Sequence, residues 1–242
     1  MAKKKALGFP SEYDDLTQTH FEILELAEFL LGTKGISGFE LKSIATQLGV
    51  APSLIHHYYS STEELIFDTV LFSYSKIING IQSSNSLEKD PERVARAWIK
   101  GMLDWTLQYP GVCVIMEFPR QVLRDGSKKV TDPEAMLNAF LKEIATYGAS
   151  NVAFMASAVR ALQKGKDFKS LPPAKIAALI ATDSKFAMFA SVMGFATIGG
   201  GLWIAGRRPS DKKNPMWMKL GFDPTKQMQN SIEQFIQMVK KG

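Results

Sequence analysis

Uncharged hydrogen-bonding side chains are concentrated between residues 51 and 62 of this 242-residue chain. Ser53, His57 and Tyr58 lie in one short segment, and Thr62 follows closely. Hydroxyl and imidazole groups can exchange hydrogen bonds with base edges and phosphate oxygens. A segment of this kind, displayed on a rigid support, has the chemistry needed to read the groove of a nucleic acid.

The sequence offers little support for catalysis or metal binding. It holds only three histidines and one cysteine, namely His20, His56, His57 and Cys113. His56 and His57 are adjacent, so on a helix they diverge by about 100° and cannot easily share a metal. No phosphate-binding or dinucleotide-binding glycine pattern is present. We therefore expect no catalytic residue, no metal site and no cofactor, and a protein that is not an enzyme.

Two short helical patterns flank a tight turn, and together they position the polar segment. Apolar residues recur with helical period over residues 40–48, at Leu41, Ile44, Ala45 and Leu48. Gly49 follows, where a left-handed backbone needs no Cβ. Pro52 suits the first turn of a second helix that runs to about residue 59. The spacing predicts a helix-turn-helix unit.

The second helix is too short to stand alone, so one face must be packed. Ile55 and Tyr59 are four residues apart and share a face, which predicts that both belong to the core. Ser53, Leu54, His57 and Tyr58 then point elsewhere. His56 is left open between contact and packing.

Flanking segments complete the unit. An amphipathic helix is predicted from about Thr17 to Leu31, and a long helix is expected to follow Ser61. Ser61 with Glu64 three residues later matches a capping box, in which each residue bonds to the backbone of the other.

Residues 17–77 resemble the DNA-binding domain of the tetracycline-repressor (TetR) family of bacterial regulators. The family's motifs stand in register without a gap: Ile23-Leu24, Lys34-Gly35, Ile44-Ala45, Gly49-Val50, Leu54 to Tyr59 and Ser61 to Leu65. The resemblance implies an all-α fold, with a three-helix helix-turn-helix domain joined by a long helix to a helical domain for ligand binding and dimerisation.

The resemblance also implies partners and contact residues. The partners are a near-palindromic double-stranded DNA operator, a second copy of the chain and a small apolar or amphipathic effector that releases a repressor from DNA. The expected DNA-binding residues are Lys42, Ser43, Ala51, Pro52, Ser53, Leu54, His56, His57, Tyr58 and Thr62.

Several departures favour an alternative, in which the protein is a binding module of the same fold with weak or lost DNA recognition. Ala51 stands where the family favours a capping Ser, and Thr62 replaces a Lys that commonly contacts phosphate. Residues 1–75 hold five basic and ten acidic residues, a net charge of −5, whereas the whole chain is +5. Because neutralised phosphates supply most DNA affinity, we expect a shallow salt dependence.

Proline-opened helical patterns after residue 78 predict a second helical domain. They include a helix over Val112 to Leu123 that is bent or interrupted near Pro119, one opened by Asp132-Pro133-Glu134, and a last amphipathic helix after Asp223-Pro224. We therefore divide the chain into a flexible arm (1–16), the helix-turn-helix domain (17–77) and an effector-binding and dimerisation domain (78–242). Aromatic and Met side chains between helices can line an adaptable apolar pocket, although at helical spacing they are more often core. The candidates are Trp98, Met102, Trp105, Tyr109, Met116, Phe140, Phe154 and Phe189.

One uncharged stretch, Phe186 to Gly206, is long enough to span a bilayer. It holds five glycines and few Leu or Ile residues, which favours a buried helix, or one broken at Gly199 to Gly201, over a membrane span. No apolar signal-peptide stretch follows the N-terminal lysines, and a single cysteine suits a reducing compartment. We expect a cytoplasmic protein with no membrane partner.

Overall fold

The computed structural model of the chain describes residues 16–36, 39–123, 130–205 and 224–241. Within these ranges it contains ten α-helices, one 3-10 segment and no strand, which confirms the all-α class. The arm predicted for residues 1–16 lies outside the described residues except for Leu16.

Proline marks the start of most helices. It occupies the first helical position in six of the ten that the described ranges contain, where its missing N–H would have no helical partner. The helices are α1 (Gln18–Lys34), α2 (Leu41–Leu48), α3 (Pro52–Tyr58), α4 (Thr62–Ser84), α5 (Pro91–Gln108), α6 (Pro110–Glu117), α7 (Pro133–Lys164), α8 (Pro173–Thr182), α9 (Ser184–Ala205) and α10 (Pro224–Lys241). The 3-10 segment, Pro119–Leu123, follows α6.

The chain divides into two compact units that do not follow a single cut in the sequence. One comprises Met1–Ile78 with Gln108–Gly148, and the other comprises Asn79–Leu107 with Ala149–Gly242. The helix-turn-helix segment therefore shares its unit with α6 and the first half of α7. The functional division at residue 78 stays a prediction.

The first unit is built where α1 crosses α6. A Cβ on Gly111 would lie 2.1 Å from the Leu31 carbonyl oxygen, and one on Gly32 would lie 2.5 Å from the Tyr109 ring. Glycine at both positions permits this close approach of the two backbones. Deeper in the unit, the rings of Phe67 and Phe140 stack with centroids 4.5 Å apart.

The second unit combines a buried polar contact with an ionic one. The indole N–H of Trp98 donates to the side-chain oxygen of Asn151 at 2.7 Å, and both residues are buried. This contact fixes α5 against α7 and satisfies a donor that would otherwise be costly to bury. At the other side of α5, Arg96 pairs with Glu233 of α10.

Two sequence predictions about helices need correction or refinement. The helix expected over Val112 to Leu123 begins earlier, at Pro110. The interruption predicted near Pro119 is confirmed, because α6 ends at Glu117 and the 3-10 segment begins at Pro119. For the segment from Phe186 to Gly206, the sequence predicts a buried helix or one broken at Gly199 to Gly201. Its described part, up to Ala205, belongs to one continuous helix, α9. The modest cost of glycine inside a helix does not by itself break one that is supported by tertiary packing.

In the described part of the chain, no single helix has both the length and the apolar composition needed to cross a membrane. Only α8 together with Ser184–Gly194 passes that test as a pair, and the two segments meet at a bend of 120°.

Candidate functional site

The turn between α2 and α3 has the geometry of a Schellman motif. Gly49 is left-handed, with φ 68° and ψ 27°. The N–H of Val50 donates to the carbonyl oxygen of Ala45 at 3.0 Å, and the N–H of Gly49 donates to that of Thr46 at 3.3 Å. These bonds satisfy carbonyls that the end of α2 leaves free and fix the direction in which the chain leaves it.

The recognition candidate α3 separates into an inner and an outer face, as the sequence predicted. Ile55 and the C-cap residue Tyr59 are buried, at 0% and 3% exposure. Ser53, His56 and His57 are exposed, whereas Leu54 and Tyr58 are half-buried. The outer face is therefore polar and available, which is what reading a groove requires.

The other predicted DNA-binding residues lie on α2 or close to the ends of α3 in the sequence. Ala51, Pro52 and Lys42 are exposed, whereas Ser43 and Thr62 are half-buried. Ala51 has extended backbone angles and no side-chain cap bond, so α3 begins without the capping oxygen that Ser would supply.

Tyr58 is already engaged inside the protein. Its hydroxyl lies 3.2 Å from the Thr17 hydroxyl, and its ring packs on His20 with centroids 4.9 Å apart. Its hydroxyl therefore has a partner within the protein. The exposed His57 ring packs edge-on against the Tyr58 ring, with centroids 5.4 Å apart, and Ser53 is exposed.

A buried network that no local sequence pattern indicated joins α1, the end of α3 and α4. The Tyr59 hydroxyl donates to Asp68 Oδ2 at 2.6 Å and lies 2.6 Å from His20 Nε2. Burial and the Asp68 carboxylate hold the pKa of Tyr59 well above its ordinary value, so the hydroxyl keeps its proton. In the sequence, Asp68 is a charged residue inside the apolar run from Leu65 to Leu71, which marks it as unusual but does not indicate its partners.

The predicted capping box at the start of α4 is only half right. The Ser61 hydroxyl accepts from the Glu64 N–H at 3.1 Å, as expected. The Glu64 carboxylate, however, accepts from the N–H and hydroxyl of Ser60, at 2.7 and 2.6 Å, rather than from the Ser61 N–H. Glu63 and Glu64 thus place negative charge in the first turn, where it suits the helix dipole but opposes a phosphate.

The eight predicted ligand-binding residues do not fall in one unit. Trp98, Met102, Trp105, Phe154 and Phe189 lie in the second unit and are buried. Tyr109, Met116 and Phe140 lie in the first, where Phe140 is buried and the other two are half-buried.

A cavity of about 300 Å³ lies in the second unit between α5, α9 and α10. None of the predicted ligand residues lines it. Its walls carry mainly apolar side chains and no charged one: Ile99, Val192, Met193, Thr197, Ser231, Ile232, Gln234, Phe235 and Met238. The signal in the sequence was the amphipathic period of α10, which by itself indicated only packing.

Of the four arginines that could pair with an anionic ligand, Arg124 lies outside the described residues, and the other three each pair with a carboxylate. Arg96 bonds Glu92 and Glu233, with Nη2 to Glu233 Oε2 at 2.7 Å. Arg160 bonds Asp183 at 2.8 Å, and Arg120 bonds Glu134 at 2.9 Å. In the described ranges, no group of three or more His, Cys, Asp or Glu side chains is arranged to hold a metal ion.

Residues 23–69 match the family model for bacterial regulatory proteins of the tetR family. This N-terminal domain belongs to the TetR family. The matched range covers most of α1, all of α2 and α3, and the first part of α4, so it contains the turn together with Tyr59 and Asp68. No curated protein matches the chain by sequence.

Solved structures share the fold over nearly the whole chain. A protein of Saccharomonospora viridis described as a transcriptional regulator, in complex with choline, has a TM-score of 0.57 at 12% identity and covers 92% of this chain and 97% of its own. Mycobacterium smegmatis BioQ gives a TM-score of 0.51 at 12% identity with the same coverages. The regulator FadR of Bacillus subtilis, in complex with stearoyl-CoA, gives 0.51 at 12% identity, covering 90% and 97%. At these identities the likeness shows the fold alone.

Proposed function

We propose that this TetR-type protein is a DNA-binding transcriptional regulator that acts as a homodimer on a near-palindromic operator. The observation that carries the proposal is the outer face of α3, where Ser53, His56 and His57 are exposed while Ile55 and Tyr59 anchor the opposite face. Two such helices must reach successive major grooves, roughly 34–36 Å apart, which a two-fold dimer can arrange.

The contacts we propose follow from exposure. Ser53 and His57 hydrogen-bond base edges or backbone, and Leu54 offers apolar contact to a thymine methyl. Lys42 contacts phosphate, and the backbone around Ala51 and Pro52 approaches the duplex. The proposed DNA-binding surface also includes Ser43, His56, Tyr58 and Thr62.

The proposal is tested by selecting duplexes from a random-sequence pool and measuring affinity by fluorescence anisotropy. We expect saturable binding to enriched duplexes, weakened by about 1–3 kcal/mol in the double variant Ser53→Ala, His57→Ala. The matched control is the double variant Gln229→Ala, Asn230→Ala, which changes two exposed polar residues of α10 and should bind as the wild type does. Failure of the wild type to enrich any duplex would reject DNA reading.

We further propose that a small apolar or amphipathic effector releases a repressor from its operator. The neutral, apolar cavity between α5, α9 and α10 supports this, because about 300 Å³ is at the lower end of ligand-pocket volumes. Two regulators with this fold were solved in complex with choline and with stearoyl-CoA. The eight ligand residues expected from the sequence stay a prediction, and none of them lines this cavity; the effector proposal rests on its own lining, which includes Ile99, Met193 and Phe235.

Residues at the starts of α3 and α4 favour a second function. Thr62 in place of a phosphate-binding Lys, Glu63 and Glu64 in the same turn, and the uncapped Ala51 all weaken DNA recognition. A binding module that kept the fold but not the DNA target would show ligand binding in the second unit with no enrichment from the random pool.

A further inference from the structure

The Tyr59 hydroxyl is a shared contact point for three helices of the first unit. It donates to Asp68 of α4 at 2.6 Å and lies 2.6 Å from His20 Nε2 of α1. Because its one proton goes to Asp68, the Tyr59 oxygen must accept from His20, which places a proton on Nε2 of that ring. His20 Nε2 is also 3.6 Å from Asp68 Oδ2, so each of the three groups lies near the other two.

Helix α3 has few other means of staying in place. It has seven residues, no side-chain bond at its N-cap and one buried side chain, Ile55. A helix of this length has no independent stability, so its position depends on tertiary contacts. The Tyr59 cluster lies at its C-terminal end, immediately after the residues proposed to read DNA.

We propose that His20, Tyr59 and Asp68 are positioning residues that hold α3 for DNA recognition without touching DNA. Tyr59 stops the end of α3 from moving away from α4, and His20 ties the same point to α1. The ring of His20 also packs on Tyr58, whose hydroxyl meets Thr17, so two consecutive residues of the chain are held against α1.

The Tyr59 hydroxyl can be removed without changing the ring that carries it. Phe has a ring of the same shape without the hydroxyl. Tyr59→Phe therefore removes the hydrogen bonds and leaves the ring packing in place, which makes it a conservative probe. Asp68→Asn is the second variant, since it keeps the shape of the acceptor and removes its charge.

The first test does not depend on DNA. Amide hydrogen exchange under native conditions reports local opening of each helix separately. In Tyr59→Phe and Asp68→Asn, we expect amides of α3 to exchange about tenfold faster, with little change in α7. Thr69→Val is the matched control, because it removes a buried hydroxyl from α4 that bonds within its own helix, to the Leu65 carbonyl at 2.7 Å. Unchanged exchange in α3 in both variants would overturn the proposal.

The second test rests on the proposed DNA-binding function. Duplexes enriched by the wild type should bind Tyr59→Phe about tenfold more weakly, at a temperature where every variant is fully folded. Thr69→Val should bind normally, which separates positioning from general stability. Faster exchange in α3 with unchanged affinity would overturn the recognition role. If the wild type enriches no duplex, the proposed function fails, and the exchange experiment alone decides whether the cluster positions α3.

Discussion

Gly49 lies between α2 and α3, where the left-handed backbone that sets the direction of the turn favours glycine. Its φ of 68° lies in the left-handed region, where a Cβ costs roughly 1–2 kcal/mol, although no atom would clash with one. We therefore expect Gly49→Ala to lower the free energy of unfolding by about 1 kcal/mol, measured by urea denaturation.

Gly80 supplies the control for this substitution. It lies inside α4, and a Cβ there would meet nothing within 4 Å. Gly80→Ala should raise the free energy of unfolding by roughly 0.5–1 kcal/mol, since alanine favours the helix. Equal effects of the two substitutions would show that the left-handed backbone of Gly49 is not the cause.

Single residues were predictable where the local backbone alone determines their role. Gly49 as a left-handed cap, Pro52 at the start of α3, and Ile55 and Tyr59 as core residues are confirmed. The predicted partner of Glu64 was wrong, because its carboxylate reaches back one residue further, to Ser60. The contact of Asp68 with α1 was missed because it joins residues 48 positions apart, which no local pattern records.

Among the helices, α3 has a correctable weakness at its N-terminus. Ala51 has the extended angles of an N-cap, φ −66° and ψ 137°, but no oxygen to accept from the first turn. Ala51→Ser should raise the free energy of unfolding by about 1 kcal/mol, measured by urea denaturation. Ala51→Val adds bulk without an acceptor and should give no gain, and a gain equal to that of Ser would exclude capping as the reason.

The contact between α5 and α10 should make stability depend on pH. Lys240 and Arg96 bond Glu92 and hold the pKa of that carboxyl below its ordinary value of 4.5. A lowered folded pKa contributes stability that is fully present above about pH 5 and is lost as pH falls through the folded value.

Glu92→Gln tests this dependence. Because the carboxyl is partly exposed, we expect the substitution to lower the free energy of unfolding by about 1 kcal/mol at pH 7 and by much less at pH 3. Urea denaturation at both pH values measures the difference. Glu22→Gln, at an exposed position of α1, is the control. An effect of Glu92→Gln that is equal at both pH values would contradict the prediction.

Helix boundaries were predictable where proline or a capping residue marks them. The Asp132 carboxylate accepts from the Ala135 N–H at 2.9 Å, which confirms the predicted start of α7. The continuity of α9 could not be decided from its glycines, because tertiary packing rather than propensity sets whether such a helix breaks.

At the scale of the whole molecule, the sequence predicted helical content more readily than the grouping of helices. Both α4 and α7 are divided between the two units, so the units are discontinuous in sequence. The effector candidates were chosen by residue type, and they therefore fall in both units, whereas the cavity depends on how α5, α9 and α10 meet.

The charge distribution predicts a shallow salt dependence of DNA affinity. Residues 1–75 carry a net charge of −5, and Thr62 stands where the resemblance to the TetR family leads us to expect a phosphate-binding Lys. Few phosphates should be neutralised, so DNA affinity should fall only gradually with salt. Thr62→Lys adds one phosphate contact per protomer, and each contact steepens the slope of log affinity against log salt by about 0.9. A dimer should therefore bind more tightly at low salt, with a slope steeper by about 1.8.

Anisotropy titrations at several salt concentrations measure that slope. Gln229→Lys adds the same charge to an exposed position on α10 and controls for the change in net charge. If both variants steepen the slope equally, the added charge acts through the general field and not through a phosphate at Thr62. If only Thr62→Lys does so, the start of α4 lies at the DNA backbone, because a slope change confined to one position requires a counterion released at that position.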